Sequence, residues 1–303
     1  MMKKKKTKIL RNLFIFLLLT AAVFGGWHLL DKTEATAPLV SSSINSAEDY
    51  QTVNMNRDDV HTGNLILINP EYAYRSAGDP GLVSVFNKKN NAYKVKDKNV
   101  LLNEQVIAAL NNLMSEFNRV KSVNAVNVIS GTRTEEEQRK LLENEIADKG
   151  KAVAMMWVAK PGFSEHHSGL AFDLGLYFDN GTSASFDGKG KYAWIADNCW
   201  KYGFIVRYPE NKESITKISY EPWHLRYVGV PHAFMMKERA LCLEEYIDFL
   251  RDYRFDEKHL NVSANGLQYE IYFTAKRNVP VPTHSNYEIS GNNVDGFIVT
   301  IEK

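Results

Sequence analysis

The stretch Ser164-Glu165-His166-His167-Ser168-Gly169-Leu170-Ala171-Phe172-Asp173 decides how the rest of this chain is read. It sets imidazoles in a short loop, follows them with a glycine that permits close approach of backbone or metal, and then alternates so that Ala171 and Asp173 share one face of a strand. A second stretch, Glu221-Pro222-Trp223-His224, adds another imidazole and another carboxylate. Pro222 holds Glu221 extended, and His224, three residues on, can enter the same cleft. For such a site the two stretches offer two or three imidazoles and the carboxylates of Asp173 and Glu221. A catalytic zinc needs three protein ligands and an open position for water. Two His and an Asp meet that need without a thiolate. A carboxylate left over can take the proton of a metal-activated water and pass it to a leaving amine.

A third stretch, Ser130-Gly131-Thr132-Arg133-Thr134-Glu135-Glu136-Glu137-Gln138, puts Arg133 between a strand and the start of a helix. A guanidinium there can stabilise an oxyanion or grip a carboxylate, and Gln138, one turn into the helix, can bind a peptide group. Singly, each stretch has a plainer reading: a His pair has many structural roles, and a lone Arg is most often a surface ion-pairing residue. Their occurrence together in one chain is what favours chemistry. His28, His61, His232, His259 and His284 have no organised partners in the sequence and read as structural.

Outward from these stretches, the pattern is α+β: a small antiparallel sheet with flanking helices around the zinc site, plus a small C-terminal β extension. Leu65-Ile66-Leu67-Ile68 reads as a buried strand. Asn103 caps a helix whose apolar positions are Val106, Ala109, Leu110, Leu113 and Phe117, and Thr134 caps a second one. Strands are expected at Val126 to Ile129, Gly169 to Tyr177, Phe204 to Tyr208 and Trp223 to Val228, with helices near Tyr192 to Tyr202 and Ala240 to Tyr253. Asn265-Gly266 signals a hairpin between strands at 260–262 and 267–274, and 296–301 is the last strand.

The chain of 303 residues is 44% apolar and 24% charged, an ordinary globular balance. Its charge is uneven. Lys3, Lys4, Lys5, Lys6, Lys8 and Arg11 precede an apolar run of 18 residues, Leu13 to Leu30. Without those six, 31 basic side chains face 36 acidic ones, so no basic body remains for nucleic acid. The run is near the lower limit for spanning a bilayer, and the basic residues would stay on the cytoplasmic side. Ala35-Thr36-Ala37 imitates a signal-peptide cleavage site, but Pro38 follows it and the apolar run is long for a signal peptide. The expected organisation is a basic segment and transmembrane anchor over 1–30, a tether over 31–58, a catalytic domain over 59–235 and a helix with a β extension over 236–303. That places a single-pass protein in the cell membrane with its catalytic domain outside. Cys199 and Cys242 are too few for a thiolate zinc site; one disulfide or two buried thiols are equally consistent with them.

The pattern Ser-x-His-x-x-Gly-x-Ala-x-Asp followed by Glu-x-x-His resembles the VanY-type D,D-carboxypeptidases and their relatives, the VanX dipeptidases and L,D-carboxypeptidases. Ser-Gly-x-Arg-x-x-x-x-Gln and Gly203-Phe204-Ile205-Val206-Arg207-Tyr208-Pro209 resemble the same family. The resemblance covers roughly 64–229. It implies that His166, Asp173 and His224 bind one Zn2+, that Glu221 is the catalytic base, that Arg133 stabilises the tetrahedral intermediate, and that Gln138 and Ser164 contact substrate. His167 falls at a variable position and stays outside the ligand set. The implied substrates are peptidoglycan precursor peptides ending in D-Ala-D-Ala, and the implied consequence is glycopeptide resistance. An L,D-carboxypeptidase acting on tetrapeptides would use the same machinery. A non-catalytic, zinc-stabilised wall-binding module is disfavoured by Glu221, because a purely structural zinc site closes its fourth position and needs no spare carboxylate.

Overall fold

The computed structural model describes residues 41–42, 49–76 and 81–303. The apolar run Leu13 to Leu30 lies outside them, and among the described residues no helix is long and apolar enough to cross a membrane.

The helix expected after Asn103 spans Glu104–Lys121. The Asn103 side chain accepts from the Gln105 N–H, and the chain leaves the helix through Ser122 at φ 53°. Its buried face is Val106, Ile107, Leu110, Leu113, Met114 and Phe117, the spacing of one helical stripe. That face packs on a six-stranded sheet whose order is Lys94–Val95, Val126–Ser130, Ala171–Tyr177, His224–Tyr227 and Phe204–Val206, with Ser183–Ser185 also paired to Ala171–Tyr177. Every pairing in it is antiparallel except that of Lys94–Val95 with Val126–Ser130. The second helix, Glu135–Lys149, begins with a reciprocal cap between Thr134 and Glu137. It buries only Gln138 and stands as an exposed wall.

The C-terminal body is a five-stranded sheet that includes His259–Ala264, Leu267–Thr274, Phe297–Glu302 and Asn286–Gly291 in that order. Asn265 and Gly266 both have positive φ, 51° and 81°, as a two-residue hairpin turn of this hand requires. Alternation divides the sheet between two cores. Tyr269, Ile271, Phe273 and Ile298 face the helices Val230–Arg239 and Leu243–Leu250, while Tyr272, Phe297, Val299 and Ile301 face the other way.

Three expectations need correction. Leu65 to Ile68 is buried as expected but is not a strand. Side chains satisfy much of its backbone. Arg226 Nη2 donates to the carbonyls of Asn64 and Ile66 at 3.0 and 2.9 Å, and Asn293 Nδ2 donates to that of Leu67 at 2.7 Å. Ser290 Oγ accepts from the Leu65 N–H at 2.8 Å. Secondly, the segment expected to be tether is built into the fold from Tyr50 onward. Tyr50–Asn54 pairs antiparallel with Asn278–Pro282, Ser41–Ser42 pairs with residues 259–260, and Arg57–His61 is a 3-10 turn. Thirdly, the helix expected from Ala240 covers only Leu243–Leu250, and Val230–Arg239, for which no helix was expected, is helical with Pro231 in its first turn, a position that suits proline. Cys199 and Cys242 are both free, buried thiols.

Candidate active site

Strand register brings the carboxylate and the distant imidazole together. His224 and Asp173 are direct partners across Ala171–Tyr177 and His224–Tyr227, and Ser130, just before the Arg133 turn, also pairs with Asp173 after a β-bulge. The Glu221–His224 turn closes when the His224 N–H donates to the Glu221 carbonyl at 3.2 Å.

The loop carrying His166 and His167 is clasped to the Gly131–Arg133 turn. His166 Nδ1 donates to the Gly131 carbonyl at 2.6 Å, and the Arg133 N–H donates to the His166 carbonyl at 3.0 Å. His167 receives the Gly162 N–H on Nε2 at 3.0 Å, so its Nδ1 donates to the Arg133 carbonyl at 2.7 Å. Both His167 nitrogens are therefore engaged in bracing the loop, in keeping with its place outside the expected ligand set. Gly169 serves the close approach of backbone expected of it: its φ is 73°, and a Cβ there would lie 2.4 Å from Leu82 Cδ2 and 3.3 Å from the Asn103 backbone nitrogen.

Ligand atoms of His166, Asp173 and His224 all lie within 4.8 Å of one another. Because His166 Nδ1 carries its proton toward Gly131, Nε2 presents a lone pair. That nitrogen is buried, has no hydrogen-bond partner, and sits 3.2 Å from Asp173 Oδ2. Two acceptors facing each other at that distance call for a cation between or beside them. His224 Nδ1 is 3.0 Å from Asp173 Oδ1, and its Nε2 donates toward Glu165 Oε2 at 3.4 Å. Burial pushes His166 down to about 4. Burial also opposes charge on His224, but its hydrogen bonds to Asp173 and Glu165 outweigh it and raise the ring to about 9. Three protein donors, N, N and O, open to a cavity on one side, fit a catalytic zinc.

Glu221 stands beside this cluster, 3.8 Å from His224 Nδ1, and burial lifts its carboxyl to about 8. Arg133 Nη2 reaches Asp173 Oδ2 at 3.2 Å, and its Nη1 donates to Gln138 Oε1 at 2.7 Å. Gln138 passes its own N–H to the Ala159 carbonyl at 2.8 Å and is 1% exposed. Gln138 thus braces Arg133, and it also lines the cavity, where the substrate contact expected of it would be made. Ser164 lines the cavity together with Arg133, Glu221 and the three cluster residues.

The cavity has a volume of about 440 Å³. Reading the sequence alone missed two parts of its wall. Trp157 and Trp223 stack with centroids 6.1 Å apart, and Tyr208 lies 5.0 Å from the His224 ring. Trp157 had no signal beyond being an aromatic residue in the apolar run Ala152 to Ala159; Tyr208 had one, its place in Gly203 to Pro209.

The VanY family model, described as D-alanyl-D-alanine carboxypeptidase, matches residues 99–230. A D-alanyl-D-alanine carboxypeptidase of Enterococcus faecium is 34% identical over 311 aligned residues, covering 96% of this chain and 96% of that protein. The chain belongs to the VanY family. VanY likeness also holds in three dimensions. The vancomycin-resistance D,D-dipeptidase VanXYg, solved with a D-Ala-D-Ala phosphinate analogue, superposes with a TM-score of 0.75 at 34% identity, covering 84% of this chain and all of that one. A mutant of the D,D-pentapeptidase VanY from a VanB-type cassette, solved with Zn(II), gives a TM-score of 0.50 at 33% identity over 61% of this chain and 98% of its own.

Proposed function

We propose that this VanY-family chain is a zinc-dependent D,D-carboxypeptidase that removes the terminal D-alanine from peptidoglycan precursor peptides. The carrying observation is the cluster of His166, Asp173 and His224 with the separate carboxylate of Glu221 beside it, all facing one cavity. What zinc supplies in such a site is Lewis acidity, activating water and polarising a carbonyl. Glu221 takes the water proton and delivers it to the departing amine of D-alanine. A carboxylate whose burial raises its proton affinity suits both halves of that task. Arg133, with Nε buried and unpartnered, directs positive charge at the carbonyl oxygen as it becomes negative. Ser164 contacts the peptide, and Gln138 holds Arg133 in line. Loss of the terminal D-alanine removes the target of glycopeptide antibiotics, so a contribution to vancomycin resistance belongs to this reading.

The test is incubation of the purified protein with muramyl pentapeptide, the corresponding tetrapeptide and free D-Ala-D-Ala, scoring released D-alanine. The pentapeptide should be the best substrate, chelation should abolish release, and zinc should restore it. Preference for the tetrapeptide would instead make the protein an L,D-carboxypeptidase.

The proposal includes a location, supported by the basic cluster ahead of Leu13 to Leu30. The chain is held in the cell membrane by that run, with its catalytic domain outside. Protease added to intact cells should release the domain; cleavage only after lysis would place it in the cytoplasm.

A further inference from the structure

Glu165 lies between Ser164 and His166, yet its side chain is fully buried on the far side of His224 from the cavity. Its Oε1 accepts from Arg207 Nε at 2.7 Å and from Arg226 Nη1 at 2.6 Å, while Oε2 faces His224 Nε2 at 3.4 Å. The two arginines are as buried as the acid. Arg226 is held further by the carbonyls of Asn64 and Ile66. Arg207 forks onto Glu244, with Nη2 to Oε1 at 2.7 Å and Nη1 to Oε2 at 3.0 Å. Glu244 belongs to the first turn of Leu243–Leu250, in the part of the chain beyond residue 235. It also accepts from Asn69 Nδ2 at 3.2 Å.

An imidazole that binds metal through one nitrogen is oriented by the acceptor that its other N–H finds. For His224 that acceptor is Glu165. A carboxylate can serve it and two guanidinium groups together, because both of its oxygens only accept. The two arginines fix Oε1, so the carboxylate cannot rotate, and the position of Oε2 follows. Glu244 in turn fixes the guanidinium plane of Arg207.

We propose that Glu165 is a positioning residue for His224, and that the helix Leu243–Leu250, through Glu244 and Arg207, is part of the support of the metal site. This rests on the reading of His224 as a zinc ligand. A merely structural staple of four buried charges would stabilise the fold without setting the ligand geometry, and the experiment separates the two.

The full-length protein is compared with Glu165→Gln, Glu244→Gln and His224→Ala. Zinc affinity is measured by chelator competition, the visible spectrum of the cobalt-substituted protein reports ligand geometry, and thermal unfolding of the metal-free protein reports the fold. An amide has one acceptor and one donor end, so in Glu165→Gln either His224 or the arginines must face an N–H. Zinc affinity should fall about 10- to 100-fold, the usual effect of losing an orienting partner, with a changed cobalt spectrum. Glu244→Gln, less buried and one step further out, should give a smaller loss in the same direction. It decides the case alone if Glu165→Gln does not fold. Wild-type affinity and spectrum in the folded variants, with only a lowered melting temperature, would overturn the proposal. If His224→Ala keeps its zinc, the ligand assignment itself fails; if it loses zinc while the two glutamate variants do not, only the positioning role fails.

Discussion

Glu221 and Glu165 are both glutamates within reach of His224, and their surroundings assign them opposite tasks. Two arginines hold Glu165 ionised, well below the usual carboxylate range despite its burial, whereas Glu221 has no such cation in hydrogen-bond contact and is pushed up. Glu221→Gln should therefore keep its zinc and its fold while turnover falls by about two to four orders of magnitude, the usual worth of a positioned base. D-alanine release and elemental zinc measured on one preparation check this; zinc lost along with activity would make Glu221 a ligand. At this scale the sequence was informative where spacing is short. His166, Asp173, Glu221 and His224 fall in two compact stretches whose chemistry is readable. Glu165, Arg207 and Arg226 were not readable as a group, because buried charges look like surface charges until a fold brings their partners together.

Turns and strand register turn those residues into a site. Gly131 illustrates how little room the elements leave. A Cβ there would lie 2.4 Å from the Leu101 carbonyl, which already accepts from Thr132. Gly131→Ala should destabilise the protein by about 1–3 kcal/mol, the range for overpacking, and should weaken zinc binding because the carbonyl holding His166 must shift. Denaturant midpoints with chelator competition would show both, and an unaltered midpoint would contradict the crowding. His232 joins three elements, with Nδ1 2.8 Å from the Tyr246 hydroxyl and Nε2 2.9 Å from Thr300 Oγ1. Burial lowers its pKa to about 3. Between that value and the unfolded value near 6.5 the unfolded chain binds the extra proton, so stability falls as pH falls through this window. From pH 7 to pH 4.5, His232→Gln should lose about 2 kcal/mol less stability than wild type does. Urea midpoints at the two pH values test it; parallel losses would show that His232 does not titrate. The elements themselves were mostly foreseeable to within a few residues, as at Glu104–Lys121 and the Asn265-Gly266 hairpin. Leu65 to Ile68 was not, since apolarity predicts burial and says nothing of whether a strand or an arginine will satisfy the backbone.

Across the whole molecule, the division at residue 235 marks no physical break. Glu244, Ser290 and Asn293 all reach back to groups that hold the catalytic part together. A chain ending at residue 235 should fail to give a folded, zinc-binding protein, judged by near-ultraviolet circular dichroism and zinc content; a well-packed, active fragment would show that these bonds are dispensable. No local pattern could have announced this interdependence, because each bond joins groups far apart in sequence. The strand Tyr50–Asn54 has a mechanical consequence. Any pull on the chain from ahead of Tyr50 would load the pairing of Ser41–Ser42 with residues 259–260, then the ladder with Asn278–Pro282 and the Tyr50 ring, which packs edge-on against Phe255 at 4.9 Å. Strain would thus be absorbed in those two pairings, peeling them before the load reached the strands that carry Asp173 and His224.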